Sequence, residues 1–180
     1  MNKIVAIVGM CGSGKSVATD ILENMGWVKI YFGGVTYKKM AEAGIERTPD
    51  SERVFRENLR KEYGPECYAK LLLPDIKEAI KNNNVVLDGL YSWDEYKYLE
   101  NELGDNLKLI CVVTDKNIRY ERIGKRPERP FNREKAIERD LSEIENLSKG
   151  GPISYADYYI FNNGTLENYK ERLNEILKEI

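Results

Sequence analysis

The stretch GMCGSGKS at residues 9–16 decides the fold of this 180-residue chain. It matches the pattern G-x-x-x-x-G-K-[S/T], in which glycines and one lysine surround an anion. The apolar, β-branched run KIVAIV at residues 3–8 precedes it and predicts a buried parallel strand. The segment VATDILENM at residues 17–25 follows it, and its apolar spacing predicts a helix. A strand, a glycine-rich loop and a helix in this order are the context in which such a loop binds phosphate.

Each residue type in this loop has a reason in phosphate chemistry. The loop must turn many backbone N–H groups toward the anion, and its glycines permit the backbone angles and the close approach that this needs. The following helix directs its positive end at the same point. We therefore expect Lys15 to reach the β- and γ-phosphates of ATP and the Ser16 hydroxyl to bind Mg²⁺. The predicted nucleotide-binding residues here are Gly9, Cys11, Gly12, Ser13, Gly14, Lys15, Ser16 and Val17.

Composition excludes several classes of function. The chain has no histidine, so imidazole catalysis and histidine-rich metal sites are excluded. Its net charge of −2 argues against the strong electrostatic field that nucleic-acid binding requires. Cys11, Cys67 and Cys111 are odd in number and far apart, so they form neither a disulfide framework nor a zinc pattern. We expect a cytoplasmic protein, with no signal peptide and no membrane-spanning segment.

The remainder of the chain alternates predicted strands with predicted helices, which indicates a parallel sheet with helices on both faces. Two long segments, at about residues 33–83 and 125–152, are expected beyond the carboxyl ends of the strands. We predict that the first is a helical insertion on the acceptor side and the second a lid. Gly33-Gly34 is expected to begin a loop, and residues 149–152 to break a helix. The predicted strands are residues 3–8, 27–32, 85–87, 107–113 and 158–161.

Asp88 is the main candidate for catalysis outside the loop. It ends the apolar strand VVLD at residues 85–88, which is the Walker B type of arrangement. Beside the first strand, its carboxylate would hold Mg²⁺, and with a hydroxyl acceptor it could also take the proton. The alternative is an ordinary Asp-Gly turn at the end of a strand.

Six arginines fall between residues 119 and 139. Cations placed near the transferred phosphoryl group lower the barrier to its transfer, and a lid could bring them in on closure. The predicted catalytic arginines are Arg119, Arg126 and Arg129. The alternative is a solvated helical surface, because glutamates interleave with these arginines.

Together these motifs resemble the P-loop nucleoside and nucleotide kinases, above all the adenylate-kinase-related, dephospho-CoA-kinase-like group. The likeness extends over nearly the whole chain, and near its end it rests on Arg139-Asp140, Gly150-Gly151, Ala156-Asp157 and the turn at residues 162–166. It implies a three-layer P-loop NTPase fold in a single domain, 1–180, with a five-stranded parallel sheet in the order 2-3-1-4-5. It also implies that Asn163 and Gly164 contact the adenine of ATP.

The acceptor half departs from this group. The group tends to have Gly-Asp and then Arg after strand two, where this chain has Gly33-Gly34 and then Tyr37. It tends to have Asp-Gly-x-Arg-Ser where this chain has DGLYS at residues 88–92. We predict an ATP-dependent kinase for a small, nucleotide-like acceptor. A hydroxyl acceptor, or a nucleotide-binding switch without an acceptor, are the alternatives.

Overall fold

The computed structural model describes residues 2–127 and 130–180, so the predicted catalytic Arg129 lies outside the described residues. Five parallel strands form one sheet in the order β2-β3-β1-β4-β5. This confirms the predicted fold, including the position of the first strand at the centre. The strands are β1 (Ile4–Val8), β2 (Val28–Tyr31), β3 (Val85–Asp88), β4 (Leu107–Val113) and β5 (Tyr158–Phe161).

Helices connect the strands and cover the sheet. Three helices lie between β2 and β3, and two lie in the described part of the segment at about 125–152. Whether these segments move as an insertion and a lid stays a prediction. Among the described residues the helices are α1 (Lys15–Asn24), α2 (Phe32–Glu42), α3 (Pro49–Tyr63), α4 (Cys67–Ala79), α5 (Trp93–Leu103), α6 (Lys116–Gly124), α7 (Arg133–Leu147), α8 (Gly150–Ser154) and α9 (Leu166–Glu179), with a 3₁₀ turn at Gly104–Asn106.

Strand β1 is buried on both faces, as its unbroken apolar sequence predicts. Ile4, Ala6 and Val8 pack in one cluster with side chains of α4 and α5. Val5 and Ile7 pack in a second cluster with side chains of α1 and α9. The two layers of helix hold the carboxyl end of β1, and the loop that follows it, in a fixed position.

The loop that Gly33-Gly34 was expected to begin is absent, because α2 starts directly after β2 at Phe32. Phe32 is buried beneath the start of this helix. The Tyr31 ring lies so close to the backbone of Gly33 that a Cβ atom there would collide with it. Packing therefore overrides the low helix propensity of glycine at this point.

The predicted break at residues 149–152 contains a short helix, α8. Gly151 lies against Trp93 of α5, where a Cβ atom would be only 2.7 Å from the indole. The Tyr155 ring packs on the same indole, with 5.6 Å between ring centroids. These contacts fix the junction of α7 and α8 to the body of the protein. Over the described residues, no helix has the length and apolar character needed to cross a bilayer.

Candidate nucleotide-binding and phosphoryl-transfer site

The glycine-rich loop joins the end of β1 to the start of α1. Gly12 and Gly14 have φ of 81° and 101°, in the left-handed region that favours glycine. Space is restricted as well, because a Cβ atom at Gly12 would lie 2.8 Å from Ile123 and one at Gly14 would collide with the Asn162 side chain. Backbone conformation and the neighbouring side chains thus both require glycine in this curved loop.

The Lys15 side chain lies over the glycine-rich loop. Its ammonium donates hydrogen bonds to the carbonyl oxygens of Gly9 (2.8 Å) and Met10 (2.9 Å). No carboxylate of the described residues forms an ion pair with it. Burial, followed by repulsion from Lys149, lowers the pKa of Lys15 to about 7. A buried ammonium whose hydrogen-bond partners are carbonyl oxygens lacks a paired negative charge, and a bound anion would supply one.

Side chains from two distant segments hold the loop in place. The Ser13 carbonyl oxygen accepts hydrogen bonds from the Thr114 hydroxyl (2.9 Å) and from the Asn162 amide (2.8 Å). The Ser13 hydroxyl is buried and has no partner among the described residues, which leaves a polar group available to a ligand. Thr114 follows β4 and Asn162 follows β5, so the carboxyl edge of the sheet supports the loop.

Asp88 ends β3 and is paired in register with Ile7 of β1, next to the loop. Its side chain is 16% exposed, and its nearest cation is the Lys29 ammonium at 3.8 Å. Burial raises the pKa of the Asp88 carboxyl, and the charges of Lys29 and Lys15 oppose this shift. The neighbouring strand ends thus bring the Asp88 carboxylate within electrostatic range of Lys15.

The residues present suit Mg²⁺ bound together with a nucleotide. Ser16 offers an exposed hydroxyl at the start of α1, and Asp88 offers a carboxylate; both are the oxygen donors that Mg²⁺ prefers. The described residues contain no cluster of three or more acidic or cysteine ligands. Mg²⁺ commonly keeps several waters and takes further ligands from substrate phosphates, so two protein oxygens are sufficient. When bound, it would neutralise charge on the phosphate oxygens.

Arg119 is engaged in a buried ion pair. Its guanidinium donates to both carboxylate oxygens of Asp140, at 2.9 and 2.6 Å, and to the Cys11 carbonyl oxygen at 2.9 Å. The Tyr120 hydroxyl donates to the same carboxylate. The side chain of Arg119 thereby links the loop, α6 and α7. Its predicted catalytic role stays a prediction, and its contacts indicate a role in holding the loop.

We expect Arg119→Ala to lower the free energy of unfolding by about 3–5 kcal/mol, because it leaves the Asp140 carboxylate buried without its cation. Chemical denaturation of the nucleotide-free protein measures this change. Lys77→Ala is the matched control, since it removes an exposed ion pair with Glu102 and should cost at most about 1 kcal/mol. Equal stability of the two variants would contradict a bracing role.

The other predicted arginines divide between the loop and a nearby pocket. Arg126 is exposed, and its guanidinium is 3.8 Å from the Cys11 sulfur, at the mouth of the loop. Arg122, which was not among the predicted catalytic residues, lines a pocket of about 220 Å³ beside the loop. One of its guanidinium nitrogens is buried and has no partner in the described part of the chain.

This pocket brings together residues that were predicted separately as nucleotide contacts. Val17 at the start of α1, Gly14 of the loop and Gly164 after β5 share its wall with Arg122. Asn163 does not line it; its side-chain oxygen accepts a hydrogen bond from the Asp115 backbone at 2.9 Å and so fixes the neighbouring turn. That this pocket takes the base of a nucleotide stays a prediction.

Tyrosines occupy the acceptor side. Tyr31 and Tyr37 lie with their ring centroids 6.1 Å apart, and the Arg47 guanidinium stacks 3.5 Å above Tyr37. Tyr91 follows Asp88 in the turn at residues 88–92. The carboxylate of the buried Glu95 accepts a hydrogen bond from the backbone N–H of Tyr91 at 3.1 Å, and this contact fixes the shape of the turn.

Sequence reasoning missed a buried cluster opposite the loop. Lys149 is 1% exposed, and its ammonium donates to Glu143 and lies 4.4 Å from the centroid of the Tyr91 ring. Arg139 donates to the same carboxylate at 2.7 Å. The one available signal was the spacing of Arg139 and Glu143 by a single helical turn. Lys149 gave none, because it lies in a Lys-Gly-Gly-Pro run that resembles an ordinary helix end.

Comparison with known proteins agrees with this geometry. A family model described as an AAA domain matches residues 5–148. The chain belongs to this family. It is also 32% identical to a UPF0200 protein of Thermococcus onnurineus, over 98% of this chain and 97% of that protein, so it is a UPF0200 member too. Neither family name specifies a reaction.

Solved structures show the same fold. The protein TT1252 from Thermus thermophilus superposes with a TM-score of 0.65 at 19% identity, covering 99% of this chain and 98% of that one. A dephospho-CoA kinase from Campylobacter jejuni superposes with a TM-score of 0.59 at 18% identity, covering 99% of this chain and 97% of that one. The predicted resemblance to P-loop nucleotide kinases is thereby confirmed, and at these identities it establishes the fold and not the reaction.

Proposed function

We propose that this UPF0200 protein is a kinase that transfers the γ-phosphoryl group of Mg-ATP to a small, nucleotide-like acceptor. The observation that supports it most directly is that Asp88 ends the strand beside β1 and interacts electrostatically with Lys15, which begins α1 after the curved glycine-rich loop. P-loop kinases position the two reactants and stabilise charge on the transferred group, and they need little other chemistry from the protein.

In this proposal the loop amides and Lys15 bind the β- and γ-phosphates. Ser16 and Asp88 would hold Mg²⁺, and the pocket lined by Val17, Arg122 and Gly164 would take the adenine. The acceptor would enter from the side of Tyr31 and Tyr91, which lies next to Asp88. We place this activity in the cytoplasm, because the three distant cysteines suit a reducing compartment.

A hydroxyl acceptor is the second candidate. The partly buried Asp88 carboxylate, with its raised pKa, is suited to accept a hydroxyl proton as the new phosphate ester forms. A phosphate acceptor needs no such base.

The test is ADP release with Mg-ATP and a panel of acceptors: nucleoside monophosphates, nucleosides and dephospho-CoA. We expect one acceptor to stimulate ADP release well above the rate with ATP alone. Binding of ATP without stimulation by any compound in the panel would favour a nucleotide-binding switch. Failure to bind Mg-ATP would refute the proposal.

The base pocket yields a separate prediction. We expect Arg122→Ala to weaken binding of ATP roughly ten-fold. The substitution removes the guanidinium that would stack on the base and donate hydrogen bonds to it. Binding of inorganic triphosphate, which has no base, should change little. Isothermal titration of both ligands measures the difference, with the exposed Lys125→Ala as control. Equal weakening for both ligands would place Arg122 on the phosphates instead.

A further inference from the structure

Lys149 is a buried cation that the proposed mechanism does not yet use. It follows Ser148, which caps α7 with φ of 49° and is the one non-glycine residue with positive φ among those described. Such a conformation is unfavourable for a residue with a side chain and persists only where the surrounding structure imposes it. Here it turns the chain so that the Lys149 side chain points inward and is 1% exposed.

The Lys149 ammonium has hydrogen-bonding capacity that its described partners do not use. Glu143 is the one carboxylate paired with it in the described part of the chain, and Arg139 occupies the other oxygen of that carboxylate at 2.7 Å. Both cations thus bind the Glu143 carboxylate, but Lys149 is buried whereas the Arg139 side chain is 42% exposed to solvent. An ammonium has three N–H donors, and the described residues accept a single hydrogen bond from this one. Its remaining contact is the face of Tyr91.

The Lys149 ammonium lies close to the candidate nucleotide site. Ile153 of α8 lines one pocket together with Gly9 and Met10, so α8 lies beside the glycine-rich loop. Lys15 also interacts electrostatically with Lys149 and Glu143. Tyr91, beneath the Lys149 ammonium, belongs to the turn that follows Asp88. The packing of Gly151 on Trp93 fixes the junction there. A buried ammonium with unused N–H donors, beside the loop and the Asp88 turn, is placed to bind an anion between them.

We infer that Lys149 is a second cation of the phosphoryl-transfer site, whose ammonium contacts the γ-phosphate of bound ATP alongside Lys15. This inference rests on the proposed function and adds a residue to it. During transfer the bond from the γ-phosphorus to its bridging oxygen breaks and a bond to the acceptor oxygen forms. Lys149 transfers no proton in this step, and its ammonium balances charge on the γ-phosphoryl oxygens. Arg139 keeps Glu143 paired when the ammonium turns toward the phosphate.

The test compares ATP with ADP, since only ATP carries the γ-phosphate. Binding of a non-hydrolysable ATP analogue and of ADP, each with Mg²⁺, is measured by calorimetry for the parent protein, Lys149→Ala and Lys149→Arg. We expect Lys149→Ala to weaken binding of the analogue about ten-fold or more and to leave ADP within about two-fold. Lys149→Arg should recover part of the loss. Lys135→Ala, which removes an exposed lysine of α7, should change neither affinity.

Other outcomes separate this inference from the proposed function. If Lys149→Ala weakened binding of the analogue and of ADP equally, the role of Lys149 would be overturned while the kinase proposal stands. The same holds if the variant changed neither affinity. A parent protein that binds no ATP analogue would overturn both. Should Lys149→Ala fail to fold in thermal melting, Lys149→Met retains the aliphatic packing and gives the same readout.

Discussion

Lys15→Ala is expected to lower acceptor-stimulated turnover by about 10²–10³-fold, because it removes a cation directed at charge that develops during transfer. The ammonium already lies over the loop, 2.8 Å from the Gly9 carbonyl oxygen. A bound phosphate would replace carbonyl partners with a full negative charge. Affinity for ATP and for ADP should both fall, since Lys15 is expected to reach the β-phosphate as well as the γ-phosphate.

Turnover is measured as ADP release, and affinity by calorimetry. Lys178→Ala removes an exposed lysine near the end of α9 and serves as control. If Lys15→Ala bound Mg-ATP as tightly as the parent and retained its turnover, the loop would not be the nucleotide site. The two lysine variants should differ in affinity. Lys149→Ala should weaken binding of ATP but not of ADP, whereas Lys15→Ala should weaken both.

Asp88→Asn distinguishes the two kinds of acceptor. With a hydroxyl acceptor we expect turnover to fall by about 10²–10⁴-fold, because the amide cannot accept the proton. With a phosphate acceptor, whose oxygen is already ionised, the loss should be mild once Mg²⁺ is saturating. The substitution preserves the shape of the side chain at the end of β3, so changes in packing contribute little.

The measurement is the turnover number at saturating ATP, acceptor and Mg²⁺, with the Mg²⁺ dependence recorded separately. Asp105→Asn, in the exposed 3₁₀ turn before β4, is the control. A large loss that disappears at high Mg²⁺ would assign Asp88 to the metal alone. A large loss that persists, with a hydroxyl compound as the active acceptor, would support Asp88 as base.

The sequence predicted the features that depend on local pattern. The run before Gly9 indicated a strand buried on both faces, and β1 is one. The alternation of strands and helices, together with the family resemblance, predicted the order of the sheet, and parallel pairing then placed Asp88 beside β1. These predictions are correct because hydrophobic periodicity and glycine conformation act over a few residues.

Features that depend on distant contacts could not be predicted in this way. Gly33-Gly34 predicted a loop, but the buried Phe32 and the Tyr31 ring place the two glycines inside α2. Arg119 was grouped with lid arginines by its spacing, although its partner Asp140 lies 21 residues away in α7. Sequence spacing does not reveal which of several arginines finds a buried carboxylate.

By itself, the sequence determined that this chain builds an anion-binding loop between a central strand and a helix, because the eight residues of that loop and its two flanks form a self-contained local pattern. Only the tertiary structure decided which charges surround the loop. Lys149 becomes a buried cation near Lys15 because Ser148 turns the chain, Gly151 packs on Trp93 and Glu143 faces inward. Electrostatics in a desolvated site depends on distances between residues far apart in sequence, and folding alone sets those distances.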